Sequence, residues 1–462
     1  MIFDLIVLGG GPAGYTAASR AGKAGLNTLL IEKKRLGGVC LNEGCIPSKV
    51  LLYSAKIRDS VKSGEKYGVL CKGVALDHGI VLERKNRVIK TLLSGVRTML
   101  AKSSVTVVEG FGRIEGKSGE GYVVKAGGET FTGKRLLIAT GSEPVILPVS
   151  GIREGIERGY VLTTSEIFEL KAVPQSLAVI GAGAVGLEMA SYFSSAGSRV
   201  TVVEMLDRIA AGADGEISNI LLKNYRGKGV DFRLGSRVMR VENGGMYLAS
   251  EGRESFVEAE KILLSTGRRP VVEGLGLENI GVEVEKGRIR VDETGQTNVP
   301  GVYAAGDVNG ISMLAHTAYR EAEVCVNNML GRKDIMRYNA IPSVIYTNPE
   351  VASVGETEES ARHKGIDCEV VKVSMRYSGR YVAENEEGDG ICKVLIDKKF
   401  ENIIGVHMIG NYSSEIIYGA ALMVEMQMRV KNIRELVFPH PTVSEIIRES
   451  VFGFDSSDPA VR

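Results

Sequence analysis

Cys40 and Cys45, five residues apart in GGVCLNEGCIPSK, are the residues whose type and spacing most directly suggest chemistry. A regular helix between them would add an axial rise of about 7.5 Å, beyond the Cα separation a disulfide tolerates. A bonded pair therefore requires a looped or distorted connection, which Asn42 and Gly44 tolerate. Pro47 favours a helix start, placing Cys45 near a helix N-terminus, where a thiolate is stabilised. Two readings are open, redox cycling and metal binding. Zinc commonly takes two spaced ligand pairs, and no second cysteine or histidine cluster is visible, so no metal is expected. In a reducing compartment a close pair is more readily explained by thiol–disulfide exchange.

Such exchange needs a proton acceptor near neutral pH, and FPHPTVSE supplies His440 with Glu445 five residues later. Glu445 would orient the imidazole and stabilise its charged form. Of the other histidines, His407 in IIGVHMIG reads as a half-buried strand residue. His78 and His363 sit in polar sequence without a partner signal, and His316 in MLAH is given at most a supporting role. Cys71, Cys325, Cys368 and Cys392 stand alone and read as structural or incidental.

The elements that must position these groups appear as a long-range repeat. DLIVLGGGPAGYTAASRAGKAGLNTLLIE and SLAVIGAGAVGLEMASYFSSAGSRVTVVE each run strand, GxGxxG turn, alanine-rich helix and second strand ending on glutamate. Gly9, Gly11, Gly14 and Glu32 correspond to Gly181, Gly183, Gly186 and Glu204 at a constant offset of 172 residues. This is the dinucleotide fingerprint: glycines let the backbone approach a pyrophosphate at a helix N-terminus, and the acid accepts from a ribose diol. Glu204 favours a free 2′-hydroxyl, so the second unit is expected to take NAD. Arg208, read as one helical turn further on, is the first basic residue after it.

At 462 residues the chain calls for about three domains. Its fold class is expected to be α/β, with two Rossmann-like nucleotide-binding domains and a C-terminal α+β domain. The boundaries read from the sequence are 1–143 and 144–268 for the nucleotide domains, 269–337 for a segment completing the first, and 338–462 for the C-terminal interface domain. A net charge of +1 gives no reason to expect nucleic acid, and the apolar runs are strand-sized, so no membrane span is expected. The N-terminus lacks the form of a secretory signal, which fits a cytoplasmic setting.

GGVCLNEGCIPSK resembles the active-site signature of the pyridine nucleotide-disulfide oxidoreductases, with Val39 where that family usually has threonine. Further motifs follow in the family's order: GGGPAG, LLIATGS, GAGAVGLE, YAAGDV, MLAHTAYREA, YTNPEVASVG and FPHPTVSE. The resemblance implies FAD at the first unit and NAD at the second. It implies that Lys49 lies against the flavin ring, paired with Glu188, and that Asp307 and Ala315 contact the ribityl and ring portions. Gly112, Thr140, Gly141, Ser142, Val238 and Gly267 are further cofactor contacts by the same resemblance. Cys40 becomes the interchange thiol and Cys45 the thiol facing the flavin, with His440 reaching across from the second subunit of a homodimer.

Within the family, the MLAH and HPTVSE forms lean towards members that oxidise protein-bound dihydrolipoamide to lipoamide. Their partner is a lipoyl-bearing acyltransferase or carrier protein of a 2-oxoacid dehydrogenase or glycine cleavage complex. The alternative is a reductase of glutathione or another small disulfide. Glutathione reductases would carry arginines around Glu204, and a mercuric reductase would end in a vicinal cysteine pair, which SVFGFDSSDPAVR lacks. A non-catalytic flavoprotein would leave both thiols and the His–Glu pair unexplained.

Overall fold

The computed structural model describes residues 2–454. The end of the cysteine-free tail lies outside the described residues. The strand Leu5–Leu8 is apolar and buried at every position, and Ser176–Ile180 is buried throughout and apolar after its first residue, so each sits at the centre of a sheet covered on both faces. Around Leu5–Leu8 the parallel order is Val302–Ala304, Leu136–Ile138, Leu5–Leu8, Thr28–Glu32, Thr106–Glu109. Around Ser176–Ile180 it is Val161–Leu162, Lys261–Leu264, Ser176–Ile180, Arg199–Val203, Asp231–Arg233. The two sheets have equivalent order but differ in where one edge strand comes from. The first borrows it from residue 302 onward, after the whole second unit has been completed.

Each unit also carries a three-stranded antiparallel meander, Arg113–Gly133 in the first and Arg237–Glu258 in the second. The crossovers that follow, Ser142–Pro144 and Arg268–Pro270, pair antiparallel with each other and tie the units together at the level of their strand ends.

From residue 343 the chain forms a five-stranded antiparallel sheet in the order Ser343–Ile345, Glu350–Gly355, Ile403–Gly410, Ile391–Asp397, Cys368–Ser374. The helices Ser413–Glu425 and Glu445–Phe452 pack on it around Val394, Val406, Met408, Ile417 and Ile446. The first helix also presents Tyr418 and Leu422 outward, 75% and 50% exposed. Among the described residues no helix is long and apolar enough to cross a membrane.

His407 is fully buried, not half-buried, because its strand lies in the interior of this sheet. His78 is partnered despite its polar sequence context: Nδ1 lies 2.6 Å from the Tyr192 hydroxyl and Nε2 2.8 Å from the Leu170 carbonyl. His316 rests against the Pro342 carbonyl. Cys325 and Cys392 are buried, whereas Cys71 is exposed.

Candidate active site

The connection between the two cysteines is a break between helices. Gly38–Glu43 ends at Gly44, whose backbone (φ −148°, ψ −104°) leaves helical geometry, and Cys45 opens the helix Cys45–Lys62. The pair is therefore drawn together by a kink at the one residue without a side chain. Both thiols are free. Hydrogen bonding from Cys40 is the largest influence on Cys45; with Lys49 it outweighs burial and brings the Cys45 thiol down to about 7. The same bond and burial push Cys40 well above the ordinary thiol range. The two sulfurs are thus differentiated, one ready as thiolate and the other held as thiol.

Lys49 stands one helical turn after Cys45. Its Nζ lies 3.0 and 3.1 Å from the carboxylate oxygens of Glu188 and 4.2 Å over the Tyr346 ring centroid. Glu188, on the helix Ala184–Ala196, also accepts the Tyr346 backbone N–H at 3.1 Å. Lys49, Glu188 and Tyr346 come from the first unit, the second unit and the C-terminal sheet region, so one ion pair fixes three parts of the chain around the thiols.

The two thiols, Lys49 and Glu188 line a cleft of about 530 Å³. Its wall includes Gly9, Gly11, Glu32, Cys40, Cys45, Lys49, Gly112, Thr140, Gly141, Ser142, Glu188, Asp307 and Ala315. Ala315 is the first residue of the helix Ala315–Met329, and Gly11 caps the helix Pro12–Lys23; neither helix has a side-chain cap. Their first N–H groups are left for an acceptor in the cleft. Asp307 is held by the Ser142 hydroxyl, and Ser142 in turn receives Arg268 Nε at 2.8 Å. Thr140 donates to the Val271 carbonyl.

The glycines separate into two kinds. A Cβ on Gly14 would lie 1.8 Å from the Gly9 carbonyl oxygen, and one on Gly186 2.1 Å from that of Gly181; the protein's own packing forbids both. Gly9 and Gly181 have φ of +105° and +103° and abut the Ala139 and Ser265 carbonyls. Gly183 is different: its φ is −78° and nothing lies within 4 Å of an added Cβ, while at Gly11 only the Gly38 Cα comes within 3.8 Å. Neither backbone strain nor packing requires glycine there, and open space before a bare helix N-terminus fits a pyrophosphate. The donor set fits a dinucleotide in both units.

Glu32 and Glu204 are anchored alike. Glu32 accepts the Gly10 N–H at 2.6 Å and the Lys34 N–H at 2.7 Å; Glu204 accepts those of Ala182 at 2.8 Å and Leu206 at 2.9 Å. Gly267 lies in the crossover with φ +99° and open space around it. The Val238 side chain is buried with Val241, Met246 and Leu248, and the residue pairs with Leu248 in the meander. Arg208 does not stand one helical turn beyond Glu204: no helix resumes until Gly215, and its guanidinium is engaged by Glu359.

His440 and Glu445 are together but not in the cleft. His440 Nδ1 is 2.9 Å from Glu445 Oε1, and the imidazole is 76% exposed. Glu445 also accepts the Thr442 N–H, and these two bonds hold its carboxyl below the usual range. No histidine lines the cleft that holds the thiols.

Sequence reasoning missed Arg268, which is half-buried beside Ser142 and Asp307, and whose charge burial disfavours. Its signal was the basic pair directly after the glycine crossover in STGRRP. It also missed Glu43, between the cysteines, which receives Ser165 Oγ from the second unit at 2.7 Å. The Tyr15 and Tyr319 hydroxyls, 2.7 Å apart, escaped it too, because they come together from helices 304 residues apart. Among the described residues no cluster of His, Cys, Asp and Glu could hold a metal.

Residues 3–322 match the family described as pyridine nucleotide-disulphide oxidoreductase, and residues 341–451 match that family's dimerisation domain. The chain is 37% identical to a dihydrolipoyl dehydrogenase of Mycoplasma pneumoniae, covering 97% of this chain and 98% of that protein. It is 38% identical to the mitochondrial dihydrolipoyl dehydrogenase 1 of Arabidopsis thaliana, over 97% and 90%. Among solved structures, LpdA of Mycobacterium tuberculosis superposes with a TM-score of 0.88 at 25% identity, over 97% and 98% of the two chains. A HOCl-induced flavoprotein disulfide reductase of Escherichia coli gives 0.86 at 26%, over 98% and 100%. With two nucleotide units meeting at a differentiated cysteine pair, this chain belongs to the pyridine nucleotide-disulphide oxidoreductase family.

Proposed function

We propose that this chain is a dihydrolipoyl dehydrogenase, oxidising dihydrolipoamide to lipoamide through a Cys40–Cys45 disulfide, with FAD at the first unit and NAD⁺ as acceptor at the second. The observation that carries the reading is the differentiated thiol pair beside Lys49 and Glu188 in a cleft that continues to the Gly11 helix N-terminus. Gly9, Gly11 and Gly14 would bring the backbone to the FAD pyrophosphate, Glu32 would take the ribose, and Asp307 and Ala315 would face the rest. Bound FAD would supply two-electron transfer from the protein dithiol to the nicotinamide.

The chain's own residues handle the sulfur chemistry. In the oxidised protein, one thiolate of the substrate attacks the Cys40 sulfur and expels Cys45 as thiolate, which Lys49 stabilises. The second substrate sulfur, deprotonated, then attacks its neighbour in the mixed disulfide. The lipoamide ring closes and Cys40 leaves, so the substrate loses two electrons and the protein pair gains them. Two substrate protons need an acceptor, and Cys40 in the reduced pair takes one.

The remaining acceptor in this reading is His440, oriented by Glu445. Since no histidine lines the chain's own cleft, it is supplied by the second subunit of a homodimer. Support comes from the match to the dimerisation domain and from the outward Tyr418 and Leu422. The physiological dithiol is a lipoyl group tethered to an acyltransferase or carrier protein, and the setting is cytoplasmic. The domain limits proposed remain 1–143, 144–268, 269–337 and 338–462.

Purified protein mixed with free dihydrolipoamide and NAD⁺ should form NADH, whereas glutathione disulfide with NADPH should not be turned over. The opposite preference would replace this reading with that of a small-disulfide reductase.

A further inference from the structure

Glu204 directly follows the strand Arg199–Val203 and, in the proposed function, binds the adenosine ribose of NAD. After it the chain makes a non-helical arch that returns to the glycine turn, where the Ala210 N–H donates to the Ala182 carbonyl at 2.9 Å. Arg208 rides on this arch, four residues from Glu204, a span of at most about 14 Å for extended chain and within reach of a flexible arginine. An arginine in this neighbourhood is what a 2′-phosphate uses. Here it is already occupied. NH1 lies 2.9 Å from Glu359 Oε1 and NH2 3.2 Å from Oε2, while NH2 also donates to the Ala211 carbonyl.

Glu359 is not part of the nucleotide unit. It sits in the short helix Glu358–His363 of the C-terminal region, behind the Thr357 cap. That helix is fastened to the second unit by a second, buried contact. Lys393, from the C-terminal sheet, reaches Asp214 at 2.9 Å and also pairs with Glu358. Asp214 caps the helix Gly215–Gly227; burial pushes its carboxyl up, but Lys393 and the Ile217 N–H together hold it below the ordinary range. Lys372 pairs with Glu216 at the same junction. The position of Glu359 over the arch is therefore fixed from both sides.

We propose that Glu359 is a specificity-determining residue of the second unit: by a bidentate clamp on Arg208 it withholds that guanidinium from a 2′-phosphate and reinforces the choice of NAD over NADP. A carboxylate and a phosphate accept from the same in-plane N–H edge of a guanidinium, so the two compete for one set of donors. Glu204 disfavours the phosphate by repulsion; Glu359 does so by sequestering the cation that would offset it. A partly exposed bidentate pair is worth roughly a two- to fivefold factor in such a competition.

The proposal rests on the NAD reading, and binding to the full-length protein separates the two. Calorimetry with adenosine 5′-monophosphate and adenosine 2′,5′-bisphosphate gives the ratio of affinities without turnover. In a Glu204→Ser background, adding Glu359→Ala should raise the bisphosphate preference roughly two- to fivefold. Glu359→Asp should restore most of the discrimination, and Arg208→Met on top of Glu359→Ala should erase the gain. In steady state the gain should fall in KM for NADP⁺ and not in kcat. A preference unchanged by Glu359→Ala, or a gain that survives Arg208→Met, would overturn the clamp. A wild-type protein that already prefers the bisphosphate, or binds neither nucleotide, would instead overturn the NAD reading itself.

Discussion

The two nucleotide units share a sheet order, a glycine turn and an anchored glutamate, yet they are built for different occupants. The first is closed over: its turn faces a cleft walled by the thiol helices, the Asp307 loop, the Ala315 helix and Glu188 from its neighbour. The second is open: Gly183 faces empty space and Met205 and Leu206 beside Glu204 are 68% and 46% exposed. A buried site suits a cofactor that stays, and an open one suits a carrier that comes and goes with each turnover. The glycine fingerprint alone does not distinguish these cases; the residues packed around it do.

That contrast can be broken most forcefully at the thiols, which only the first unit carries. Cys45→Ser should lower dihydrolipoamide oxidation by about a thousandfold or more, since Cys40, left alone in the cleft, cannot form the disulfide that accepts the substrate's two electrons. Calorimetric binding of NADH to the second unit should survive. Loss of NADH binding in a folded variant would mean the units are not separable.

A smaller effect distinguishes the two kinds of glycine. Gly14→Ala and Gly186→Ala each drive a methyl into a carbonyl and should cost about 2–3 kcal/mol of stability in denaturant titration. Gly183→Ala meets no atom of the protein and should change stability by less than about 0.5 kcal/mol. It should nonetheless weaken NADH binding by about tenfold, because the methyl occupies the approach of the pyrophosphate. Equal effects of Gly183→Ala and Gly186→Ala on stability would undo the division.

The ion pair that joins the units gives the smallest and most specific effect. Cys45 ionises near pH 7 in the reduced protein, so thiolate absorbance should grow as pH rises through that value. Lys49→Met removes a cation that favours the anion, so the transition should move upward, by about one pH unit. Glu188→Gln removes the opposing carboxylate, whose charge disfavours the thiolate, and should move it the other way. An unmoved transition in both variants would show that the Cys40 hydrogen bond alone sets the thiolate.

Much of this was legible in the sequence because it was local. GxGxxG reports a strand-to-helix turn within six residues, and Glu32 and Glu204 follow from the length of one helix and one strand. The break at Gly44 followed from disulfide geometry applied to a five-residue spacing. What could not be read was contact made at long range. The edge strand Val302–Ala304 pairs with Leu136–Ile138 across an intervening unit, and Tyr15 meets Tyr319 from another helix. His78 looked unpartnered because Tyr192 is 114 residues away. Arg208 looked available to a phosphate because Glu359, which engages it, is 151 residues further on.

The most direct measurement is to reduce the oxidised holoenzyme anaerobically with one equivalent of dihydrolipoamide, without NAD⁺, alkylate it, and map the labels by mass spectrometry. Dithiol oxidation through the pair predicts new label on Cys40 and Cys45, none on buried Cys325 and Cys392, and disappearance of the new label with formation of NADH when NAD⁺ is added first. New label confined to other cysteines, or NADH formed while Cys40 and Cys45 remain alkylatable, would contradict it.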